Sequence, residues 1–214
     1  MGNLFSLDSP LMRALGRVAD LLILNLLVIV CCIPVITAGA AFSAMHYVLL
    51  KLVRGEEGYI VKQFFRAFKE NFKQATLLWL IVLAFILIFI MDFLILRYTG
   101  ISFPKVLVYS LFFLVFVLLM LAVWIFALQS HFVNSVRGTL RNAAFMMIAH
   151  LPRSFSMLCL TLLPLLLLYL VQQILPFAVM LGISLPAYGC AFIYDPVFRK
   201  YETAAQEEPE DGND

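Results

Sequence analysis

Residues 18–52 read VADLLILNLLVIVCCIPVITAGAAFSAMHYVLLKL, and this stretch decides the fold class. It carries no charge over residues 21–50, and its apolar residues follow one another without alternation. Only helices and closed barrels can cross lipid, because every backbone polar group there must be bonded within the protein. Barrel strands alternate, whereas crossing helices are continuous apolar runs of about 20 residues. The stretch therefore predicts two crossing helices, 18–33 and 35–52, separated by Pro34.

The rest of the chain has the same character. It is 64% hydrophobic and 13% charged, whereas soluble domains are about 45–50% apolar and roughly 25% charged. This composition excludes a water-soluble fold and predicts an all-α, polytopic transmembrane helical bundle of about six crossings, arranged as three in-out-in hairpins. The other four predicted crossings are residues 75–96, 106–128, 155–172 and 177–194.

The distribution of basic residues predicts the topology. With the N-terminus inside, all of the 15 Lys and Arg residues except Arg97 and Lys105 lie on cytoplasmic segments, as the positive-inside rule requires. We therefore expect a multi-pass protein of the cell membrane with both termini in the cytoplasm. The first two crossings are short for a bilayer, so a re-entrant geometry for residues 35–52 stays open.

An amphipathic helix is predicted over residues 59–73, between the second and third crossings. Phenylalanines recur on one face at helical spacing, and bases occupy the other. We expect an interfacial helix with its aromatic rings at the acyl boundary and its bases at anionic headgroups of the cytoplasmic leaflet. It acts either as an elbow for the next crossing or as a docking face for a partner. Nucleic acid is not expected, because the aromatics do not alternate with the bases. The bases are Lys62, Arg66, Lys69 and Lys73.

Two polar residues in the first hairpin form a candidate pair. Asn25 lies roughly 10 Å and His46 roughly 9 Å from the inner boundary, at 1.5 Å rise per residue. Antiparallel helices place residues of equal depth side by side, so the Asn25 amide is predicted to bond the His46 imidazole. The favoured interpretation is a structural clasp. The alternative is a solute or proton site, because histidine titrates near neutrality.

No motif points to chemistry. The sequence contains no phosphate loop, no H-E-x-x-H and no G-x-S-x-G, and its three histidines fall on separate segments. We expect no enzymatic activity, no catalytic residues, no metal and no cofactor. Asp195 before Pro196 is the expected end of the last crossing. The acidic residues 201–214 are expected to form a disordered tail.

Small residues cluster on the second crossing. They allow another helix to approach closely, either within the monomer or in an oligomer. They are Gly39, Ala40, Ala41, Ser43 and Ala44.

Several segments together resemble the YesL-like family of bacterial integral membrane proteins, long filed as a domain of unknown function. The resemblance spans roughly residues 5–200 and is most specific in the first 76. The segments that carry it are Asn25–Ala40, Tyr47–Arg54, Glu56–Tyr59 and Phe64–Thr76, together with Asp8-Ser9-Pro10 and Tyr194-Asp195-Pro196 near the two ends.

The resemblance implies a physiological setting and no mechanism. Members of the family often lie in gene neighbourhoods for carbohydrate uptake, beside sugar-binding lipoproteins and ABC permeases. The resemblance therefore implies an accessory or regulatory component of carbohydrate uptake, with sugar ABC transporter subunits as partners. The alternative is a small-solute membrane transporter.

Overall fold

The computed structural model describes residues 10–56, 58–98 and 104–207. These ranges form helices and contain no strand. Five helices are long and apolar enough to cross a membrane, and the bent pair α7–α8 makes six. The prediction of an all-α helical bundle is confirmed. The helices are α1 (Pro10–Cys32), α2 (Ala38–Arg54), α3 (Ile60–Tyr98), α4 (Lys105–His131), α5 (Val136–Ala149), α6 (Leu151–Leu170), α7 (Leu175–Leu181) and α8 (Ser184–Glu207).

Local sequence explains where the first two helices end. Pro34 stops α1, and a 3-10 turn over Val35–Thr37 leads into α2. The Thr37 hydroxyl closes this turn by donating to the Cys31 carbonyl at 2.5 Å. Gly55 then ends α2 in the left-handed conformation, with φ of 73°, which glycine adopts without a steric cost. The predicted break at Pro34 is therefore confirmed.

Helix α2 is the centre of the bundle. It packs against α1, α3, α4 and α8, and most of its side chains are buried. The predicted close approach occurs at Gly39, where an added Cβ would collide with the Trp79 Cβ atom and the Ala75 carbonyl oxygen of α3. The small-residue face therefore serves packing within the monomer.

Gly39→Ala is expected to destabilise the protein by about 1–3 kcal/mol, because the methyl group overlaps backbone and Cβ atoms that have no free rotamer. Gly16→Ala is the matched control: it gains the same helix propensity, and its new methyl group meets open space. Thermal unfolding in detergent should show a lower midpoint for Gly39→Ala and an equal or higher one for Gly16→Ala. Equal midpoints for the two variants would contradict the close approach.

Helix α3 corrects the expectation of a separate interfacial helix. The amphipathic segment 59–73 and the third crossing 75–96 belong to one helix of 39 residues, about 58 Å long at 1.5 Å per residue. The sequence from Ile60 to Tyr98 holds no Pro or Gly. A change from charged to apolar side chains does not interrupt backbone hydrogen bonds, so the helix continues.

The last hairpin corrects two further expectations. The sixth crossing, predicted as residues 177–194, is broken between α7 and α8, which meet at a bend of 59°. At its other end α8 passes through Pro196 and continues to Glu207, so Asp195 does not end the helix. The expected tail thus begins inside α8, and residues 208–214 lie outside the described ranges. Contacts of Asp195 and Glu202 with the bundle, given below, hold this extension in place.

Candidate functional site

Lys62, Arg66, Lys69 and Lys73 form a basic face on the first half of α3. The opposite side of this half packs against the bundle. Ile60, Phe64 and Ala67 are buried against neighbouring helices, and Phe64 has no exposed surface. The prediction that this ring inserts at the acyl boundary is therefore wrong, because it packs inside the protein. The four predicted bases, Lys62, Arg66, Lys69 and Lys73, are all exposed.

The exposed face has two strips. At about 100° per residue, Val61, Phe65 and Phe72 fall on one flank and the four bases on the other. All three apolar side chains are exposed. Glu70 borders the basic strip and accepts a hydrogen bond from Arg66 at 2.9 Å. The surface therefore presents an apolar strip beside a basic one.

Asn25 bonds the backbone groups that the break between α7 and α8 leaves without helical partners. Its Oδ1 accepts from the backbone N–H groups of Ile183, at 3.1 Å, and Ser184, at 2.9 Å. Its Nδ2 donates to the Val179 carbonyl at 2.7 Å. In an unbroken helix the N–H of Ile183 would bond that carbonyl directly. The amide is inserted into this interrupted hydrogen bond, and the Ser184 hydroxyl adds a bond to the Leu21 carbonyl at 2.8 Å.

His46 has a different partner. Its Nδ1 lies 3.2 Å from the Tyr194 hydroxyl of α8, and both side chains are buried. The predicted clasp between Asn25 and His46 is therefore wrong. Each side chain instead bonds one helix of the first hairpin to the last hairpin. The α7–α8 bend leaves backbone groups for Asn25 that an unbroken helix would bond internally.

A cluster of charges joins the C-terminal ends of α2 and α4 to the second half of α8, and sequence reasoning missed it. Arg54 at the end of α2 bonds Asp195 at 2.7 Å and Glu202 at 2.8 Å, both on α8. Glu202 also bonds His131 at the end of α4. Arg199 bonds the second oxygen of Asp195 at 2.8 Å. These contacts fasten α2 and α4 to α8.

Two further concave surfaces are lined mostly by apolar side chains. A groove of about 460 Å³ between α6 and the α7–α8 bend is lined by apolar residues, among them Pro164, Phe177 and Leu181. A smaller recess between α3 and α4 contains Asp92 and Ser110. Within the described ranges no group of three or more His, Cys, Asp or Glu side chains could hold a metal ion.

Comparison with known proteins adds a family match for the first part of the chain. No curated protein and no solved structure matches the chain. Residues 21–93, which cover the second half of α1, all of α2 and most of α3, match the model of an uncharacterised family described as "Protein of unknown function, DUF624".

Proposed function

We propose that the protein is a non-enzymatic accessory subunit of the cell membrane that docks a partner through the basic face of α3. One observation carries the proposal: Lys62, Arg66, Lys69 and Lys73 are exposed side by side on a helix whose opposite face is anchored in the bundle. A helix held in this way is already ordered, so a partner does not have to order it on binding.

An acidic protein surface is the occupant that fits best. An interfacial helix would place its large aromatic residues in lipid, but Phe64 packs inside this protein. The strip of Val61, Phe65 and Phe72 supplies an apolar contact beside the charges. Anionic headgroups are the competing occupant, and the experiment below separates the two.

The partner class follows from the resemblance to the YesL-like family. Its setting beside sugar-binding lipoproteins and ABC permeases suggests a role in carbohydrate uptake, with subunits of a sugar ABC transporter as the partner. In the topology expected from the basic residues, with both termini in the cytoplasm, the basic face lies on the cytoplasmic side. A cytoplasmic ATPase or the inner loops of a permease could therefore reach it.

Reversing the charges Lys62→Glu, Arg66→Glu and Lys69→Glu together should reduce recovery of the partner from native membranes by about tenfold or more, since each rim charge contributes to complementarity. Affinity purification with quantitative mass spectrometry measures this recovery. The control variant reverses three exposed bases elsewhere, Arg137, Arg141 and Arg153, and should retain the partner.

The abundance of each variant in the membrane decides whether it is folded. Unchanged partner recovery from the α3 variant would contradict the proposal. If that variant instead loses co-purified anionic lipid, measured by lipid mass spectrometry, while partner recovery stays unchanged, the face binds headgroups. Equal loss of partner in both variants would mean that total charge matters and the α3 surface does not.

A small-solute transporter is the second candidate, and the α7–α8 break favours it. Transporters commonly bind substrates at interrupted helices, where free backbone groups meet the solute. Here Asn25 already occupies the free groups of Val179, Ile183 and Ser184, which weakens this candidate. Sugar flux into liposomes that contain only this protein would favour transport over the accessory role.

A further inference from the structure

The exposed face of α5 combines arginines with apolar side chains. At about 100° per residue, Arg137, Arg141, Phe145 and Ile148 lie together on one side of the helix, and all four are exposed. Phe145 and Ile148 are 60% and 64% exposed, which is high for such large apolar side chains. The opposite side packs against the bundle. The side chains buried there are Thr139, Ala143, Met146 and Met147.

No acidic side chain of the described ranges neutralises these arginines. The sequence contains no Asp or Glu between Asp92 and Asp195. Arg137 and Arg141 take part in none of the ion pairs of the described residues. Glu202, on the neighbouring end of α8, is bound by other partners. The described part of the chain therefore leaves the charge of α5 to an external anion.

Helix α5 runs obliquely back along α4. Its first turn lies beside the last turn of α4, where the Thr139 hydroxyl donates to the Gln129 side-chain oxygen at 3.4 Å. Directly after α5, the centre of the His150 ring lies 6.4 Å from that of the Trp124 ring. Gln129 and Trp124 are about 8 Å apart along α4 at 1.5 Å per residue. The two ends of α5 therefore lie at levels that differ by about 8 Å.

The deeper end of α5 lies at the edge of the hydrocarbon core. Helix α6 begins at Leu151, and its 20 residues extend about 30 Å, which is the thickness of that core. Trp124 bonds Ser154 near the start of α6, and it lies about 27 Å along α4 from Val106. Both helices place the level of Trp124 at the edge. The start of α5 then lies about 8 Å outside it, in the headgroup layer, which is about 5–8 Å thick on each side.

The basic face of α3 lies farther from the core. Asn71 of α3 accepts a hydrogen bond from the Gln129 amide at 3.3 Å, so it lies at the level of the first turn of α5. From there α3 continues into the core toward Tyr98, and its earlier residues lead away from the core. Lys62 lies about 14 Å farther out than Asn71. Much of the α3 face is therefore beyond the headgroups, whereas α5 remains among them.

We propose that α5 is an interfacial helix that binds anionic phospholipids. Phe145 and Ile148 enter the acyl boundary, and Arg137 and Arg141 bond headgroup phosphates, for which the planar guanidinium is well suited. Each base near an anionic leaflet adds to the attraction. In the topology expected from the basic residues, this is the cytoplasmic leaflet. The proposal does not depend on the partner proposed for α3.

A fluorescent probe beside this face tests the proposal on the full chain. Ala149 is exposed at the deeper end of α5, and Ala149→Cys carries a bimane group. Brominated phosphatidylglycerol or brominated phosphatidylcholine quenches the bimane when it binds next to α5 in reconstituted vesicles. Half-quenching is expected at an about tenfold lower mole fraction of the anionic lipid, because two arginines attract it. The native cysteines replaced in this background are Cys31, Cys32, Cys159 and Cys190.

Arg137→Gln with Arg141→Gln should abolish this preference and leave quenching by the neutral lipid unchanged. Lys62→Gln with Arg66→Gln is the matched control. It removes two bases at the same spacing from the α3 face and should keep the preference. No preference in the parent protein, or the same loss in both variants, would overturn the proposal. So would loss of a co-purified protein from the α5 variant with the lipid preference intact, because an acidic protein would then occupy α5.

A depth measurement guards against a misfolded variant, because it leaves the arginines in place. A nitroxide spin label is attached to Ile148→Cys, at the deeper end of α5, and to Val133→Cys, in the exposed turn before it. Its collision rates with oxygen and with a water-soluble nickel chelate are measured in vesicles. Ile148→Cys should show high oxygen and low nickel accessibility, and Val133→Cys the reverse. High nickel accessibility at both positions would place α5 in water and overturn the proposal.

Discussion

Arg54→Ala is expected to destabilise the protein by about 3–5 kcal/mol, because it leaves a buried carboxylate without its closest cation. The Asp195 side chain is 7% exposed, and Arg54, at 16%, bonds it at 2.7 Å. The same substitution also removes one partner of Glu202. Thermal or denaturant unfolding of the purified protein in detergent measures the loss, and low abundance in membranes would accompany it.

Arg199→Ala is the matched control for this prediction. Arg199 bonds the same carboxylate at 2.8 Å, but its side chain is 58% exposed, and exposed pairs contribute about 0–1 kcal/mol. Adding Asp195→Asn to Arg54→Ala should restore part of the stability, since the buried charge is then gone. Equal, small losses for Arg54→Ala and Arg199→Ala would show that the buried network does not hold α2 and α8 together.

Asn25→Leu is expected to cost about 3–6 kcal/mol. It strips partners from the Val179 carbonyl and from the N–H groups of Ile183 and Ser184, and each unsatisfied group costs about 1–3 kcal/mol. Loss of these bonds should also loosen the α7–α8 bend. Hydrogen exchange at Ile183 and Ser184 should therefore accelerate, and unfolding in detergent gives the free energy.

His46→Leu is the comparison for Asn25→Leu. It removes a single bond, to the Tyr194 hydroxyl, and should cost about 1 kcal/mol. Because the two side chains share no partner, the double variant should show additive losses within about 0.5 kcal/mol. A larger coupling, or a greater loss from His46→Leu than from Asn25→Leu, would restore the idea of a clasp between them.

The contrast between Gly55 and α3 shows how far local signals reach. Gly55 ends α2 where the sequence indicates, because a left-handed glycine stops a helix by itself. The boundary expected between residues 73 and 75 rested on a change of polarity, and α3 continues through it. Polarity reports the surroundings of a side chain, whereas helix continuity depends on the backbone.

The sequence did not indicate which groups the candidate site residues contact. The four bases of α3 were predicted and are exposed together, because residues on one helix face share a fixed spacing. Asn25 was predicted to be an important polar residue, but its partners lie more than 150 positions away. The depth argument compared only positions within the first hairpin, whereas the α7–α8 bend offers Asn25 backbone groups that no sequence pattern indicates.

The sequence by itself determined that the surroundings are lipid and that the fold class is all-α. Long charge-free runs require lipid around the protein, and lipid requires that backbone groups be bonded within each helix. Only the tertiary structure decided which side chains meet. Arg54 and Asp195 stand 141 positions apart, and their pairing depends on the packing of α2 against α8, which no local sequence pattern indicates. The level of the first hairpin along α3 was decided in the same way, because close contact at Gly39 fixes where the two helices adjoin.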